Sequence, residues 1–356
     1  MPTNTSGRTP TPVKWPGFFR ILLPIGIGLG VTYWLFRKEF RPEVWHQIRF
    51  TGQSIVSLLV AFCLMLGRDF WLSWRFRWLC RPDRLGWWQA VRVNLLCEFT
   101  SAVTPSAVGG SGFIPVFLKG EGIPAGKGTA VTLSTLFLDE LYFVLLFPVF
   151  FFFFPARALF GSSIHLTPVF RLVFILVYIA IAAWTLFLYL ALFRRPDWVS
   201  RFIRRLFRLR WLRRWESSAE GMAADLQTSA AQLKQFSLFF WIQAFLGTAA
   251  AWTCRYLVAC ALFAPFLPWQ EEPLIFARQW VLWIVLMISP TPGGSGVGEY
   301  VFSAYYSDLL ANASLLLIIT CCWRLVTYYV YLLAGISLLP GWLRTFKKQI
   351  SPPAAK

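Results

Sequence analysis

"TPSAVGGSG" (residues 104–112) follows one short apolar run, and "SPTPGGSG" (residues 289–296) follows another. The two stretches share a proline-plus-glycine signature, with Gly109 and Gly293 standing 184 residues apart. Each breaks an apolar arm of about a dozen residues, too short for the roughly 30 Å hydrocarbon core of a bilayer. A second arm follows each break. The segments 88–118 and 278–311 therefore read as re-entrant hairpins, because non-helical backbone at membrane depth survives only against protein or a water-filled cavity.

The rest of the chain makes a membrane the expected solvent. Of 356 residues, 57% are hydrophobic and only 14% charged, against about 25% charged in soluble domains; mean hydropathy is +0.57. Six further segments are long enough to span: about 18–36, 54–74, 128–154, 168–193, 236–263 and 313–338. The expected fold is an all-α polytopic membrane protein. It has about six full transmembrane helices and two re-entrant broken-helix hairpins, arranged as an inverted repeat.

Charge sets the orientation. The formal net charge is +18, and the Lys and Arg residues collect between spans, which points to positive-inside topology and anionic lipid headgroups rather than nucleic acid. Arg8, Lys14 and Arg20 mark the N-terminal tail as cytoplasmic. The 75–87 loop and the tail after 340 read the same way, as does "RRPDWVSRFIRRLFRLRWLRR", which holds nine arginines between 194 and 214. The 155–167 and 264–277 loops, poor in bases, belong outside. The basic loop 37–53 is then left outside, against the rule. Within the arginine-rich stretch, Arg201, Arg204, Arg205 and Arg208 share one helical face opposite Trp198, Phe202, Ile203 and Leu206, the pattern of an interfacial helix.

One membrane domain is expected over 18–340, with half-repeats of about 54–154 and 236–338 and a basic cytoplasmic segment at 194–216. A Pro/Thr-rich disordered tail over 1–17 and a second tail over 341–356, both cytoplasmic, flank it. No A-x-A-like cleavage site follows the first apolar run, so a retained first helix is expected rather than a signal peptide. Plasma (inner) membrane localisation with both termini inside follows.

With this topology the two hairpins enter from opposite sides, the arrangement expected of transporters. Spacing agrees. Arg68 precedes Pro105 by 37 residues and Arg255 precedes Pro290 by 35. From Gly112 to Asp139 is 27 residues and to Glu140 is 28, while from Gly296 to Arg324 is 28. The candidate binding residues are the two tips and the embedded charges. The tips supply Pro105, Gly109, Gly110 and Ser111 in the first half, and Pro290, Pro292, Gly293, Gly294, Ser295 and Gly296 in the second. The charges are Arg68, Arg255, Arg324, Glu299, Asp139 and Glu140.

Opened helix ends carry partial charges that hold ions, glycines admit a close-lying headgroup, and arginines grip phosphate bidentately. The competing reading is structural: Pro/Gly kinks two packed helices, and Arg324 pairs with Asp139 or Glu140 to lock the halves together. Each embedded charge costs about 2.5–3.5 kcal/mol at mid-helix on insertion scales, so most must pair or face water.

Soluble-enzyme motifs are missing. Phe113 and Val297 stand where a G-x-S-x-G elbow needs its last glycine, and "GEGIPAGKGT" places Gly122 and Gly126 one residue too close for a P-loop. His46 and His165 lie far apart and the seven cysteines show no C-x-x-C, so no metal, disulfide frame or cofactor is expected.

"SPTPGGSGVGE" (289–299) followed by "WRLVTYYVYLLAG" (323–335) resembles the lysylphosphatidylglycerol synthase transmembrane-region family, a flippase-like membrane domain. "RDFWLSWRFRWL" (68–79) and "AVTPSAVGGSGFIPVFLKGEGIPAGKGTA" (102–130) resemble its first-half motifs. The resemblance covers about 20 to 340 and implies movement of phospholipids or lipid-linked molecules between leaflets. Pro292, Gly293, Gly294, Gly296 and Glu299 match the second motif and Arg324 the arginine after it; Pro105, Gly109 and Gly110 match the first. Two departures stand out. Phe113-Ile114-Pro115 replaces the basic residue that many members carry after the first glycine pair, and no aminoacyl-transferase domain follows before Lys356.

The expected function is thus a flippase or transporter of a polar phospho- or glycolipid, with anionic or lipid-linked lipids as partners. A separate lipid-modifying enzyme and self-association are further possible partners. The alternative is an integral membrane transferase acting on a lipid or polyprenyl-phosphate, with Asp139 or Glu140 as base or metal ligand.

Overall fold

The computed structural model describes residues 52–104, 108–161, 168–194, 233–289 and 291–350, with Asp197, Arg201, Arg205 and Ala231 singly between them. The expected first span at 18–36, most of the basic segment 194–216, Pro105 and Pro290 lie outside the described residues.

The described chain is helical. Helix α1 (Gly52–Leu79) runs past the predicted end at 74, so Arg75 is helical and buried rather than in a loop. It stops where Pro82 removes a backbone donor. Helix α2 (Trp87–Val103) begins at Gly86, whose N–H donates to the Gln89 side chain at 2.7 Å. Helix α3 (Val108–Gly120) returns from the break, and α4 (Ala125–Phe153) crosses. The short α5 (Ala156–Phe160) leads to α6 (Pro168–Tyr189), which ends in a π-turn at Leu190–Arg194.

A second series of helices follows from residue 238. Helix α7 (Leu238–Phe263) is capped by Ser237, which accepts from the Phe240 N–H at 3.3 Å. Helix α8 (Glu272–Ile288) ends at the second break, and α9 (Val297–Tyr306) returns. Helix α10 (Ala313–Arg324), capped by Asn312, passes through a π-turn at Leu325–Tyr329 into α11 (Val330–Ile350), which continues beyond 340.

Five of the six predicted spans are helices long and apolar enough to cross a bilayer, within Gly52–Leu79, Ala125–Phe153, Ile175–Arg194, Leu238–Phe263 and Ala313–Phe346. Their outward residues are apolar: Phe152 is 84% exposed and Leu238 75%. Such a surface belongs in lipid, where hydrocarbon covers what water would expel. The protein is an all-α polytopic membrane protein. All seven cysteines are free thiols.

Helices α1 and α7 form the centre and run antiparallel. Ser57 donates to the carbonyl of Ala261, Gly67 faces the Cys254 sulfur, and Trp74 covers Gly247. At the far end the Trp78 indole donates to the Phe240 carbonyl at 3.1 Å. The glycines let the two backbones approach, as small residues do between membrane helices. The hairpin α2–α3 packs on α11, where Phe99 lies against Gly335, and α8 packs on α4 through Trp280 against Phe143 and Phe147.

Candidate functional site

The two breaks meet. Gly293 N–H donates to the Thr104 carbonyl at 3.3 Å, and the Tyr328 hydroxyl donates to the Ala102 carbonyl at 3.3 Å while accepting from Ser295 at 2.9 Å. The motifs nevertheless differ in conformation. Gly293, Gly294 and Gly296 have φ of 57°, 68° and 83°, a region side chains resist, so the second GGSG is a turn that only glycines build cheaply. The first GGSG is the opening of helix α3. There Gly110 serves close packing: a β-carbon would overlap Ser101 and the Cys97 carbonyl.

Beneath the meeting point lies a cavity of about 540 Å³, lined by α1, α2, α3, α4, α6, α7, α8, the second tip and the α10–α11 junction. It is within the usual range for ligand sites. Of the predicted residues, Gly110, Ser111, Gly293, Gly294 and the charges Arg68, Asp139, Glu140, Arg255 and Arg324 line it. Glu299, Pro292, Ser295 and Gly296 are not lining residues; Gly109 lies in the first turn of α3.

Most of the lining charges are paired. Arg68 donates to Glu98 at 2.7 Å and to the Tyr331 hydroxyl at 3.4 Å, and that hydroxyl donates to Asp69 at 3.0 Å. Asp139 does not meet Arg324. Its carboxylate accepts from Arg75 at 2.5 and 3.3 Å and from the Trp252 indole at 2.9 Å, and Arg75 also donates to Thr248 at 3.0 Å. Arg75 reaches inward because it follows Arg68 by two helical turns, on the same face of α1. That spacing was the signal the sequence offered for it.

Arg324 is committed to the second tip. It donates to the Gly294 carbonyl at 2.6 Å, the Gly293 carbonyl at 3.3 Å and Glu299 at 3.1 Å, and its Nε lies 3.0 Å from the second Glu299 oxygen in ion-pair contact without hydrogen-bond alignment. Glu299 also accepts from the Gly296 N–H at 2.7 Å. The positive end of α9 is therefore neutralised from within the chain, by an acid in its first turn. Gly298 makes room for this, since a β-carbon there would overlap the Arg324 guanidinium.

Two lining charges stand apart. Arg255 has neither hydrogen bond nor ion pair among the described residues, and its guanidinium lies 5.0 Å from the centre of the Trp283 ring. Glu140 likewise has no partner among the described residues, and its buried Oε2 accepts no hydrogen bond.

The sequence profile of the lysylphosphatidylglycerol synthase TM region matches residues 21–335. The chain belongs to that family. It is also similar to a protein named "UPF0104 membrane protein" of Archaeoglobus fulgidus, 24% identical over 335 residues, which cover 88% of this chain and 94% of the relative. No solved structure matches the chain. Family membership fits the broken second tip, whose "SPTPGGSGVGE" carries the glycines and the acid just described.

Proposed function

We propose that this family member moves a polar phospho- or glycolipid between leaflets, its headgroup passing through the cavity where the two broken helices meet. One observation carries the reading: both hairpin tips, and spanning helices from each half, close on a single charged cavity. A channel for hydrocarbon needs no such charges, and a packed structural core would not leave Arg255 and Glu140 without a hydrogen-bond or ion-pair partner among the described residues.

The proposal includes an inverted repeat of about 54–154 and 236–338. The antiparallel packing of α1 on α7 supports it, as do matched clasps across the open ends of the hairpins. Arg92 pairs with Glu121 at 3.1 Å, 29 residues on. Arg278 pairs with Asp308 at 2.6 and 2.8 Å, 30 residues on. Rocking of one half on the other would expose the cavity to each leaflet in turn. The protein then lies in the plasma membrane with both termini cytoplasmic, and the basic segment 194–216 gathers anionic lipid. Self-association and a lipid-modifying partner enzyme are compatible with this arrangement.

The test is a proteoliposome assay with trace headgroup-labelled lipids and a membrane-impermeant quencher. The protein should expose inner-leaflet label faster than protein-free liposomes, and Arg255→Gln should abolish the gain. Equal rates with and without wild-type protein, for every headgroup, would refute transport.

A further inference from the structure

Among the described residues, four arginines and five carboxylates stand on the cavity wall or in ion contact just behind it. Arg68 lies between two of the acids, 2.7 Å from Glu98 and 3.5 Å from Asp69. Glu98 in turn lies in the field of Arg255 as well as of Arg68. These four groups balance one another. Arg75 balances Asp139, and Arg324 balances Glu299. Glu140 is the carboxylate left over.

No described element packed on α4 answers its charge. The charge acting on Glu140 is that of Asp139, of like sign and already engaged by Arg75 and the Trp252 indole. From α6 the cavity receives only Val177, Ala180, Ile181 and Trp184, all uncharged, and the Tyr178 hydroxyl donates to the Val144 carbonyl at 3.3 Å. On α7, Arg255 lies over the Trp283 ring and answers Glu98. Helix α3 carries Lys119 exposed in its last turn, and Lys127 near the start of α4 pairs with Asp83. The Glu140 Oε2 is buried and accepts no hydrogen bond.

We propose that Glu140 is a proton-binding site, and that the cycle running through this cavity carries a proton with it. The inference rests on the lipid-transport reading and adds its coupling ion. A lone carboxylate in low dielectric is neutralised most cheaply by a proton, which needs a single oxygen. A metal cation needs several oxygen ligands, and those of Asp139, next in the chain, are already held. An ammonium on the lipid would meet the charge only while the lipid is present, whereas the emptied cavity must also return. In the proposed step the carboxylate takes a proton from hydronium on one aqueous face, crosses the closed state as the neutral acid, and gives the proton to water on the other face.

The test uses full-length protein in proteoliposomes, a labelled phosphodiester lipid whose headgroup does not titrate, and a membrane-impermeant quencher. A gradient of one pH unit should shift the leaflet distribution of the label away from equality, by up to about tenfold for one proton per lipid. A sodium gradient without a pH gradient should not. Glu140→Asp should keep the response and Glu140→Gln should lose it. A transport-independent arm is infrared difference spectroscopy on pH change in detergent: wild type should show the carbonyl stretch of a protonated carboxyl, shifted in Glu140→Asp and gone in Glu140→Gln. Wild-type transport indifferent to the pH gradient, a response that survives in Glu140→Gln, or one driven by sodium would overturn the inference. Where a protein moves no lipid at all, the infrared band decides. A band lost in Glu140→Gln leaves the proton site standing while the transport reading falls, and a band unchanged in that variant overturns the site.

Discussion

The Gly293 N–H donates to the Thr104 carbonyl at 3.3 Å, joining the interrupted helix of one half to that of the other. Gly293 adopts φ 57° to do so, and a β-carbon there would overlap Tyr328 and lie 2.8 Å from the Ala102 carbonyl. The bond satisfies backbone groups that the bilayer would otherwise leave unpaired. It also ties the roof of the cavity to both halves, so any relative motion of the halves must be felt at that junction.

Adjacent acids should behave oppositely. Asp139 neutralises buried Arg75, whereas Glu140 pairs with no cation among the described residues. Removing one partner of a buried pair typically costs about 3–5 kcal/mol. Asp139→Asn should therefore lower the melting temperature in detergent by several degrees, while Glu140→Gln should leave it unchanged or raise it. Thermal unfolding of the two variants side by side reads this directly.

Arg324 and Glu299 should be strongly coupled. Both are almost fully buried, at 4% and 1% exposure, and truncating either strands the other. Arg324→Met and Glu299→Gln should each destabilise by about 3–5 kcal/mol. The double variant should cost less than their sum by more than about 1 kcal/mol. Additive losses in a denaturant or thermal cycle would contradict a direct pair.

Gly298 and Gly112 provide a matched contrast. Alanine at 298 must displace the Arg324 guanidinium, an overpacking change worth about 1–3 kcal/mol. At Gly112 no atom lies within 4 Å of the added carbon, and alanine is the better helix former by up to about 1 kcal/mol. Gly298→Ala should lose both stability and transport; Gly112→Ala should lose neither.

The two hairpin clasps should differ in strength. Arg278 is buried, bidentate on Asp308, and also donates to the Ala158 and Tyr305 carbonyls. Asp308→Asn should therefore lower the melting temperature clearly. Glu121 sits in the turn after α3, where burial raises its carboxyl above the usual range although Arg92 pulls it down. A carboxyl raised on folding adds stability at low pH and loses it as pH rises through the folded value. Glu121→Gln should accordingly be neutral or stabilising at pH 7, with its advantage shrinking towards pH 4.

The breaks were legible because proline and glycine act locally: Pro105 and the Gly109–Gly110 pair, then Pro290, Pro292 and Gly293–Gly294, each end a short apolar arm. The cavity charges were legible as well, because a charge inside an apolar run needs a reason wherever it sits. Partnerships were not. Asp139 and Arg324 are spaced like counterparts of a repeat, yet each finds its counter-charge in its own half, Arg75 on α1 and Glu299 on α9. Arg75 was hidden because four bases between 75 and 84 look like a cytoplasmic loop, and only its register with Arg68 turns it inward. The two GGSG motifs also read alike but fold differently. Helix α3 absorbs the first, whereas Pro292 and the positive φ of Gly293, Gly294 and Gly296 keep the second out of helix until Val297.

The most direct measurement places a photoreactive group on a phospholipid headgroup and maps where it attaches in proteoliposomes. A headgroup that enters the cavity should label peptides carrying Ser101, Thr135 and Arg255, and excess unlabelled lipid of the same headgroup should compete it away. Labelling confined to outward residues such as Phe152 and Leu238, and indifferent to competitor, would contradict a headgroup site between the broken helices.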